Sequence, residues 1–507
     1  MKLFYNFKNF PKNNFDAFIV SDGKFLKTGN FESLKNLYPS IEIIDFGGRL
    51  ILPGFNDSHI HIWKVGNLLT YMLDLSEAKN YSDIKNNILE FDKKNNPSWI
   101  IARGFNEQNL DEKEIPNLKF LDSIKIDKPV TLIRNCAHII TNNSLALKLS
   151  NVNENTKIPF GGEIRRNEKN ILNGILSETA IGLVQNKFPK YTPHEYEKMI
   201  LRAQDEMLKF GITSATDPAV HPELLEVYKK MEREGKLKIR INAIPIRIPD
   251  GKNYENPIPG IYETEFLRVN TIKYFSDGGL SGMTAAVSFN YKNSKSHGVL
   301  RLNKERFLRS TKEAMQKGFK IATHAIGDRA INMVIDVYEE LQKISPIKNR
   351  IEHLGIVDEN ILARLKNVPT QISTQPIFLK ELGHNFLKYV PEDESKKIYP
   401  FKKLFDLGFE VSFSSDAPVV KNYSPLVGIS SAVNRKINPE ENCTVLDGIK
   451  AFTKNGALLD SVDNKGEIEE NYLADFIVLD YFNDSLKVED LEKIKIIEVF
   501  VAGKKVL

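Results

Sequence analysis

Residues 270–328 carry the pattern that decides the fold: NTIKYFSDGG (270–279), then NKERFLRSTKEAMQKG (303–318), then FKIATHAIGD (319–328). The first and last are short apolar runs that end in polar residues. The middle one is a longer amphipathic stretch and reads as a helix. Strand, helix, strand is the sequence form of a parallel βαβ unit. The same alternation extends outward in both directions. GITSATDPAV (211–220) and KIRINAIPIR (238–247) lie upstream, and KNRIEHLGIV (348–357), VPTQISTQP (368–376) and FEVSFSSDAP (409–418) lie downstream. With RLILPGFNDSHIHI (49–62) in front there are eight candidate strands. Eight strands close a (β/α)8 TIM-type barrel, so the expected fold is an α/β barrel over residues 51–454.

Two regions do not follow this alternation. Between His61 and Gly211 lie far more residues than one crossover needs, including WIIARGFNEQNL and KPVTLIRNCAHIITNNSLAL. This predicts a subdomain of about residues 70–205 inserted after the first barrel strand, where it would cap the catalytic face. The chain ends are β-rich. FDAFIVSDGKFLKTG (15–29) has a hairpin signal at Asp22-Gly23, and IKIIEVFVAGKKVL (494–507) turns at Ala502-Gly503. Residues 1–50 plus 455–507 are therefore expected to form one small β-sandwich module from both termini.

Bulk properties narrow the function classes. The 507 residues exceed what one barrel of about 250 needs. Lys+Arg total 70 against 66 Asp+Glu, so a net charge of +4 gives no reason to expect a nucleic acid or a membrane as partner. Cys136 and Cys443 form no CxxC pair, which fits a reducing cytosol. The N-terminus has no signal-peptide core, and no run approaches the roughly 20 apolar residues of a membrane span. The expectation is a soluble cytoplasmic protein with a small-molecule substrate. A homodimer is compatible with outer barrel helices but is not specified.

Most ligand-type residues fall at the ends of the apolar runs, where barrel enzymes place their chemistry. His59 and His61 are two apart, so on an extended strand both imidazoles face one side. His324 ends FKIATH, His353 ends KNRIEH, and Asp416 ends FEVSFSSD. Singly, each is more often a satisfied core or loop residue than a ligand. Together they place four of the nine histidines, with one Asp, at strand ends. Imidazole plus carboxylate suits a borderline divalent ion, zinc foremost. Lys273 in NTIKYFSDGG reads either as a lysine that snorkels to solvent or as a buried amine that becomes neutral and can take up carbon dioxide as a carbamate.

The segments LPGFNDSHIHI, RNCAHIITNNSLAL, GILSETA, GITSATDP, IKYFSDGGLSGMTAA, THAIGDRAI, RIEHLGI, STQPIF, SSDAPV and IEENYLADFIVLD occur in order along nearly the whole chain. In this set the chain resembles the amidohydrolase superfamily, and within it the amidohydrolase family 3 branch, which includes N-substituted formamide deformylases and, more distantly, D-aminoacylases. HAIGDRA and KYFSDGG are distinctive of that branch. Asn56 departs from its usual apolar residue at a position that is not a ligand.

The resemblance implies one or two divalent metal ions. It assigns His59, His61 and Asp416 to one ion, His324 and His353 to the second, and a carboxylated Lys273 to the bridge. It also implies hydrolysis of a C–N amide-type bond in a formamide, N-acyl amine or N-acyl amino acid, by metal-activated hydroxide with Asp416 as general base. His138 and Asn143, in the insertion, are candidates for substrate contacts. Asp328, four residues after His324, reads equally as an acceptor that orients that ring or as a surface helix cap. Glu178 in GILSETA receives no role. Competing readings are a mononuclear deaminase, an ester or lactone hydrolase on the same metal pair, and a non-catalytic binding or assembly protein.

Overall fold

The computed structural model describes residues 1–11, 14–249, 252 and 254–507. Eight short parallel strands follow the apolar runs: β1 (Phe55–Asp57), β2 (Ile212–Val220), β3 (Arg240–Pro245), β4 (Thr271–Phe275), β5 (Lys320–Ala325), β6 (Asn349–His353), β7 (Thr370–Thr374) and β8 (Glu410–Phe413). They pair in two arcs. One holds β1, β2 and β3 with the short strands Leu267–Val269 and Tyr262–Glu263 at its edge, and the other runs from β4 to β8. The ladder is interrupted at two seams. At one, Leu267–Val269 takes the place beside β3. There the arcs touch through a lone parallel bridge, Ile246 with Lys273. At the other, the residues that follow β1 and β8 meet: the Asp416 N–H donates to the His59 carbonyl at 2.7 Å, and the His61 N–H to the Ala417 carbonyl at 2.9 Å.

The connecting helices form where the sequence spacing places them. Helix Lys304–Gln316 starts at Asn303, whose side chain accepts from the Arg306 N–H at 3.1 Å. Its buried Phe307, Thr311, Ala314 and Met315 make one apolar stripe on that helix. Burying the Phe and Met side chains contributes about 1.5–3 kcal/mol each. The chain then leaves the helix at Gly318, with φ +85°, and enters β5.

One expected strand is divided. Residues 49–62 read as a single barrel strand, but Glu42–Pro53 belongs to another sheet and only Phe55–Asp57 enters the arc. Gly54 makes the change of sheet. Its N–H donates to the Asp475 carbonyl at 2.9 Å, and a Cβ there would lie 2.3 Å from Thr213 Oγ1. The close approach excludes any side chain.

Strands from both ends of the chain share one seven-stranded sheet, in the order Lys504–Lys505, Ile496–Val501, Phe476–Leu479, Glu42–Pro53, Lys2–Asn9, Ala17–Ser21, Lys24–Gly29. Both hairpin turns adopt positive φ, at Asp22 and Gly23 (50° and 77°) and at Ala502 and Gly503 (49° and 70°). The sequence reading expects a sandwich here; the strands form one sheet that curls on itself. Phe25 and Phe476 are four places apart in the sheet order, yet their rings lie 5.9 Å apart, and the Phe25 N–H donates to the Tyr472 carbonyl.

Between β1 and β2 a six-stranded sheet is inserted, from Leu73–Asp74 to Leu172–Glu178. Helix Pro193–Lys209 then returns the chain to the arc. It is closed at its start by a capping box of Thr192 and Glu195. Among the described residues no helix is long and apolar enough to cross a membrane.

Candidate active site

The polar groups gather just past the carboxyl ends of the strands. His59 and His61 lie beyond β1 rather than on it, in the link to helix Ile62–Leu68. Both rings are buried and aim their Nε2 atoms at one carboxylate oxygen. Asp416 Oδ1 is 3.5 Å from His59 Nε2 and 3.4 Å from His61 Nε2. Among the described residues these three form the group whose ligand atoms lie within 4.8 Å of one another.

The other expected residues stand beside them. The His353 ring centroid is 4.9 Å from that of His59 and 4.5 Å from that of His324. His353 Nδ1 lies 4.0 Å from Asp416 Oδ2. Two of these residues hold uncommon backbone, with φ +75° at His353 and +57° at Asp416. Such conformations cost on the order of 1–3 kcal/mol and tend to collect at functional sites. At His353 the positive φ breaks the alternation of β6, on which Arg350 and Glu352 already share one face.

Each imidazole is oriented by an acceptor on one nitrogen, leaving the other free of that duty. His59 Nδ1 meets Glu352 Oε2 at 2.5 Å, His61 Nδ1 the Pro218 carbonyl at 3.2 Å, and His353 Nδ1 the Gln375 Oε1 at 2.7 Å. His324 uses Nε2, 3.0 Å from the Gly278 carbonyl. Such outer partners fix the ring and tautomer of metal-binding histidines. Burial lowers the His61 and His324 pKa values well below the ordinary range and brings that of His353 to about 3. The neutral imidazole that ligation requires is therefore the resting form.

Lys273 on β4 is 0% exposed, and its Nζ has no hydrogen-bond partner among the described residues. It lies 4.8 Å from the Phe275 ring centroid, and burial lowers its pKa to about 8. Asp416 Oδ1 likewise has no hydrogen bond. A buried amine and a buried carboxylate oxygen left unsatisfied are costly. A divalent cation among these donors would remove that cost at Asp416, so the residues fit the group that the ligand chemistry implies.

Several contributors were not assigned from sequence. Glu352 holds His59 and is itself held by Arg350, whose Nε donates to Oε1 at 2.9 Å. Asp57 Oδ1 accepts from the His59 and Ser415 N–H groups at 3.2 and 3.1 Å, and burial raises its pKa to about 7. Asp277 Oδ1 lies 3.4 Å from His324 Nε2. Asp57, Asp277 and Glu352 all sit inside FNDSHIH, KYFSDGG and RIEHLG, next to residues already singled out.

Two sequence expectations are corrected. Asn143 caps helix Ser144–Leu149: its Oδ1 accepts from the Ala146 and Val130 N–H groups, and its Nδ2 donates to the Lys128 carbonyl. With both ends spent on backbone, it is a structural residue of the insertion. Asp328 does not meet His324. Its Oδ1 accepts from the Ser288 N–H at 2.9 Å, and the carboxylate beside His324 is that of Asp277. The i+4 spacing misled because Asp328 begins a new helix, Asp328–Leu341, past the strand end.

His138 does reach the site, its ring centroid 5.4 Å from that of His324. Its Nδ1 is 3.0 Å from Glu178 Oε2. Burial works to raise the Glu178 pKa, but His138 and Arg301 outweigh it and hold the carboxyl below its usual range. A Cβ on Gly278 would lie 2.2 Å from Glu178 Oε1, so a glycine is required where the insertion touches the loop after β4.

A buried His–His–Asp group at the ends of parallel strands marks an α/β metal-dependent hydrolase. The Amidohydrolase family model matches residues 42–507. The chain belongs to that family and is a metal-dependent hydrolase of it. YtcJ of Bacillus subtilis (strain 168), named as an amidohydrolase, is 29% identical over 92% of this chain and 90% of its own. The N-substituted formamide deformylase of Arthrobacter pascens is 25% identical over 96% and 94%. An uncharacterized metal-dependent hydrolase from Pyrococcus horikoshii OT3 superposes with a TM-score of 0.78 at 27% identity, covering 96% of this chain and 99% of that one.

Proposed function

We propose that this amidohydrolase cleaves a C–N amide-type bond in a formamide, an N-acyl amine or an N-acyl amino acid. The observation that carries the reading is the unsatisfied Asp416 Oδ1, buried between the Nε2 atoms of His59 and His61. His59, His61 and Asp416 would hold one ion. His324 and His353 would hold a second, with Lys273 as a carbamate between them. Zinc suits this donor set. When bound, the metal supplies Lewis acidity, polarising a carbonyl and making water more acidic.

The chain's own groups do the rest. The Asp416 carboxylate takes a proton from the attacking water and returns it to the leaving nitrogen. Glu352 and Gln375 hold the His59 and His353 rings in register. His138, steadied by Glu178, donates to the substrate carbonyl from the roof of the site. Burial lowers the Lys273 pKa to about 8, so a fraction of it is the free amine that attack on carbon dioxide needs near neutral pH; the proton it sheds leaves to solvent.

The same reading takes the two strand arcs as one barrel over residues 51–454, the curled sheet of residues 1–50 plus 455–507 as a sandwich-type module, and residues 70–205 as its insertion. The two seam contacts and the approach of His138 to His324 support it.

The test is a panel of formamides, N-acyl amines and N-acyl D- and L-amino acids, scored for amine release by the zinc-loaded protein before and after chelation. Turnover that a chelator abolishes and zinc restores is expected. Release of ammonia from heterocyclic amidines, with the amide panel silent, would overturn the reading. A one-ion site is the second reading, favoured by the tight convergence of His59, His61 and Asp416 alone. Metal per chain, counted by mass spectrometry, separates one ion from two.

A further inference from the structure

The buried arginines divide by how they are satisfied. Arg134 pairs with Glu107, Arg350 with Glu352 and Asp460, Arg240 with Asp475, and Arg247 with Glu255 and Glu313. Arg301 lies 3.6 Å from Glu178. Arg435 has no carboxylate but donates to three backbone carbonyls, those of Ile437, Tyr399 and Ile398. Arg103 has a single backbone carbonyl and, among the described residues, no carboxylate. It is 4% exposed, its Nη2 donates to the Asn135 carbonyl at 3.2 Å, and its Nε has no partner. Among the described residues no carboxylate lies within ion-pair distance of it. A guanidinium buried without a counter-charge costs several kcal/mol, so a ligand that brings the charge would bind there with advantage.

The location ties this cation to the segment of the insertion that meets the site. Arg103 is on strand Ile100–Phe105 of the inserted sheet. Asn135, its acceptor, is three residues before His138, whose ring approaches His324. Neighbouring Arg134 ties the same segment down, donating to the Ser281 hydroxyl and carbonyl in the loop after β4. Gly104 and Asn135, together with Val65 and Pro418–Val420, line a cavity of about 670 Å³. Lys64, beside Val65, is half-buried and has no ion pair among the described residues, and Asp416 is among the charges whose fields act on both cations.

We propose that Arg103 receives a carboxylate of the substrate, so that the preferred substrates are amides bearing an anion. This rests on the amide-hydrolase reading for the identity of the bond, while the anion site itself does not. The carboxylate can come from the amine part, as in an N-acyl amino acid, or from the acyl part, as in an N-succinyl amine.

The experiment measures binding by calorimetry to the zinc-loaded protein. The probes are racemic N-formyl-leucine, N-succinyl-3-methylbutylamine and the neutral N-formyl-3-methylbutylamine. At least one carboxylate probe should bind tenfold or more tightly than the neutral one. Which of the two does so assigns the carboxylate to the amine or the acyl side. Arg103→Gln should erase that preference and leave the neutral probe unchanged, and Arg103→Lys should retain part of it. Equal binding of all three by the wild-type protein, or a preference that survives Arg103→Gln, overturns the proposal. Should Arg103→Gln fail to fold, the wild-type ratio and the reduced ratio in Arg103→Lys decide. A carboxylate preference without turnover of any probe would keep the anion site and discard the amide-hydrolase reading.

Discussion

Each end of the strand arcs buries a lysine and an aspartate, and the two ends treat them differently. At the amino end, Lys320 begins β5 and its Nζ reaches Gln371 Oε1 at 2.7 Å and the Leu459 carbonyl at 2.8 Å. Asp460 accepts there from Asn56, Thr216, Asn242 and Arg350. At the carboxyl end, Lys273 lies on the neighbouring strand, two residues beyond the Thr271 that pairs with Lys320. Its Nζ and Asp416 Oδ1 have no hydrogen bond. Burial brings both lysines to a pKa of about 8, so titration does not tell them apart. Satisfaction does. In this pair the satisfied lysine holds the scaffold, whereas the unsatisfied one stands among the donors of the site.

The ends are linked. Asp460 contacts Arg350, Arg350 holds Glu352, and Glu352 holds His59. The scaffold end therefore sets the orientation of a ring at the chemical end.

The sharpest way to break the comparison is Asp416→Asn. A loss in kcat on the order of 10³-fold is expected, with most of the bound metal retained. Near-normal turnover would remove Asp416 as the base. Lys273→Ala comes next: activity should fall and be partly rescued by formate or acetate, which can replace the missing bridge. Unchanged activity would discard the two-ion model.

Asp460→Ala should act on stability instead. Breaking its buried network is expected to cost about 3–5 kcal/mol, read as a lowered urea midpoint, with metal content per folded chain unchanged. If Asp460→Ala left stability alone, the division between the ends would fail.

The smallest effect is that of pH on the metal-free protein. The folded-state pKa of His353 lies at about 3, below its ordinary 6.5. The unfolded chain therefore takes up the proton first as pH falls. Stability from this group is full above 6.5 and is lost on acidification toward 3, on the order of 1.4 kcal/mol per pH unit. The denaturation midpoint should decline from pH 7 to pH 5; a flat profile would contradict neutral burial of the ring.

Much of this site was legible before any coordinates. The ends of FKIATH and KNRIEH, the HxH after PGFND and the Asp of SSDAP lie where strand ends bring them into reach of one another. What was not legible depended on partners far along the chain. Glu352 is next to His353 in sequence, but its role follows from His59, 293 positions away. Asn143 looked available until the Lys128 carbonyl and the Ala146 N–H were found to occupy it. The division of 49–62 at Gly54 came from a neighbour, Thr213, that no local pattern announces.

From its order of residues alone, this chain determined its alternating strands and helices, its two end hairpins and the kind of donor at each strand end. Those depend on periodicity, capping and turn chemistry among neighbours a few residues apart. Only the tertiary structure decided which buried groups are satisfied, which acceptor holds each imidazole, and that Arg103 has no carboxylate within ion-pair distance among the described residues. Hydrogen bonds and ion pairs at such sites join residues separated by tens to hundreds of positions, and their completeness is a property of the packed interior.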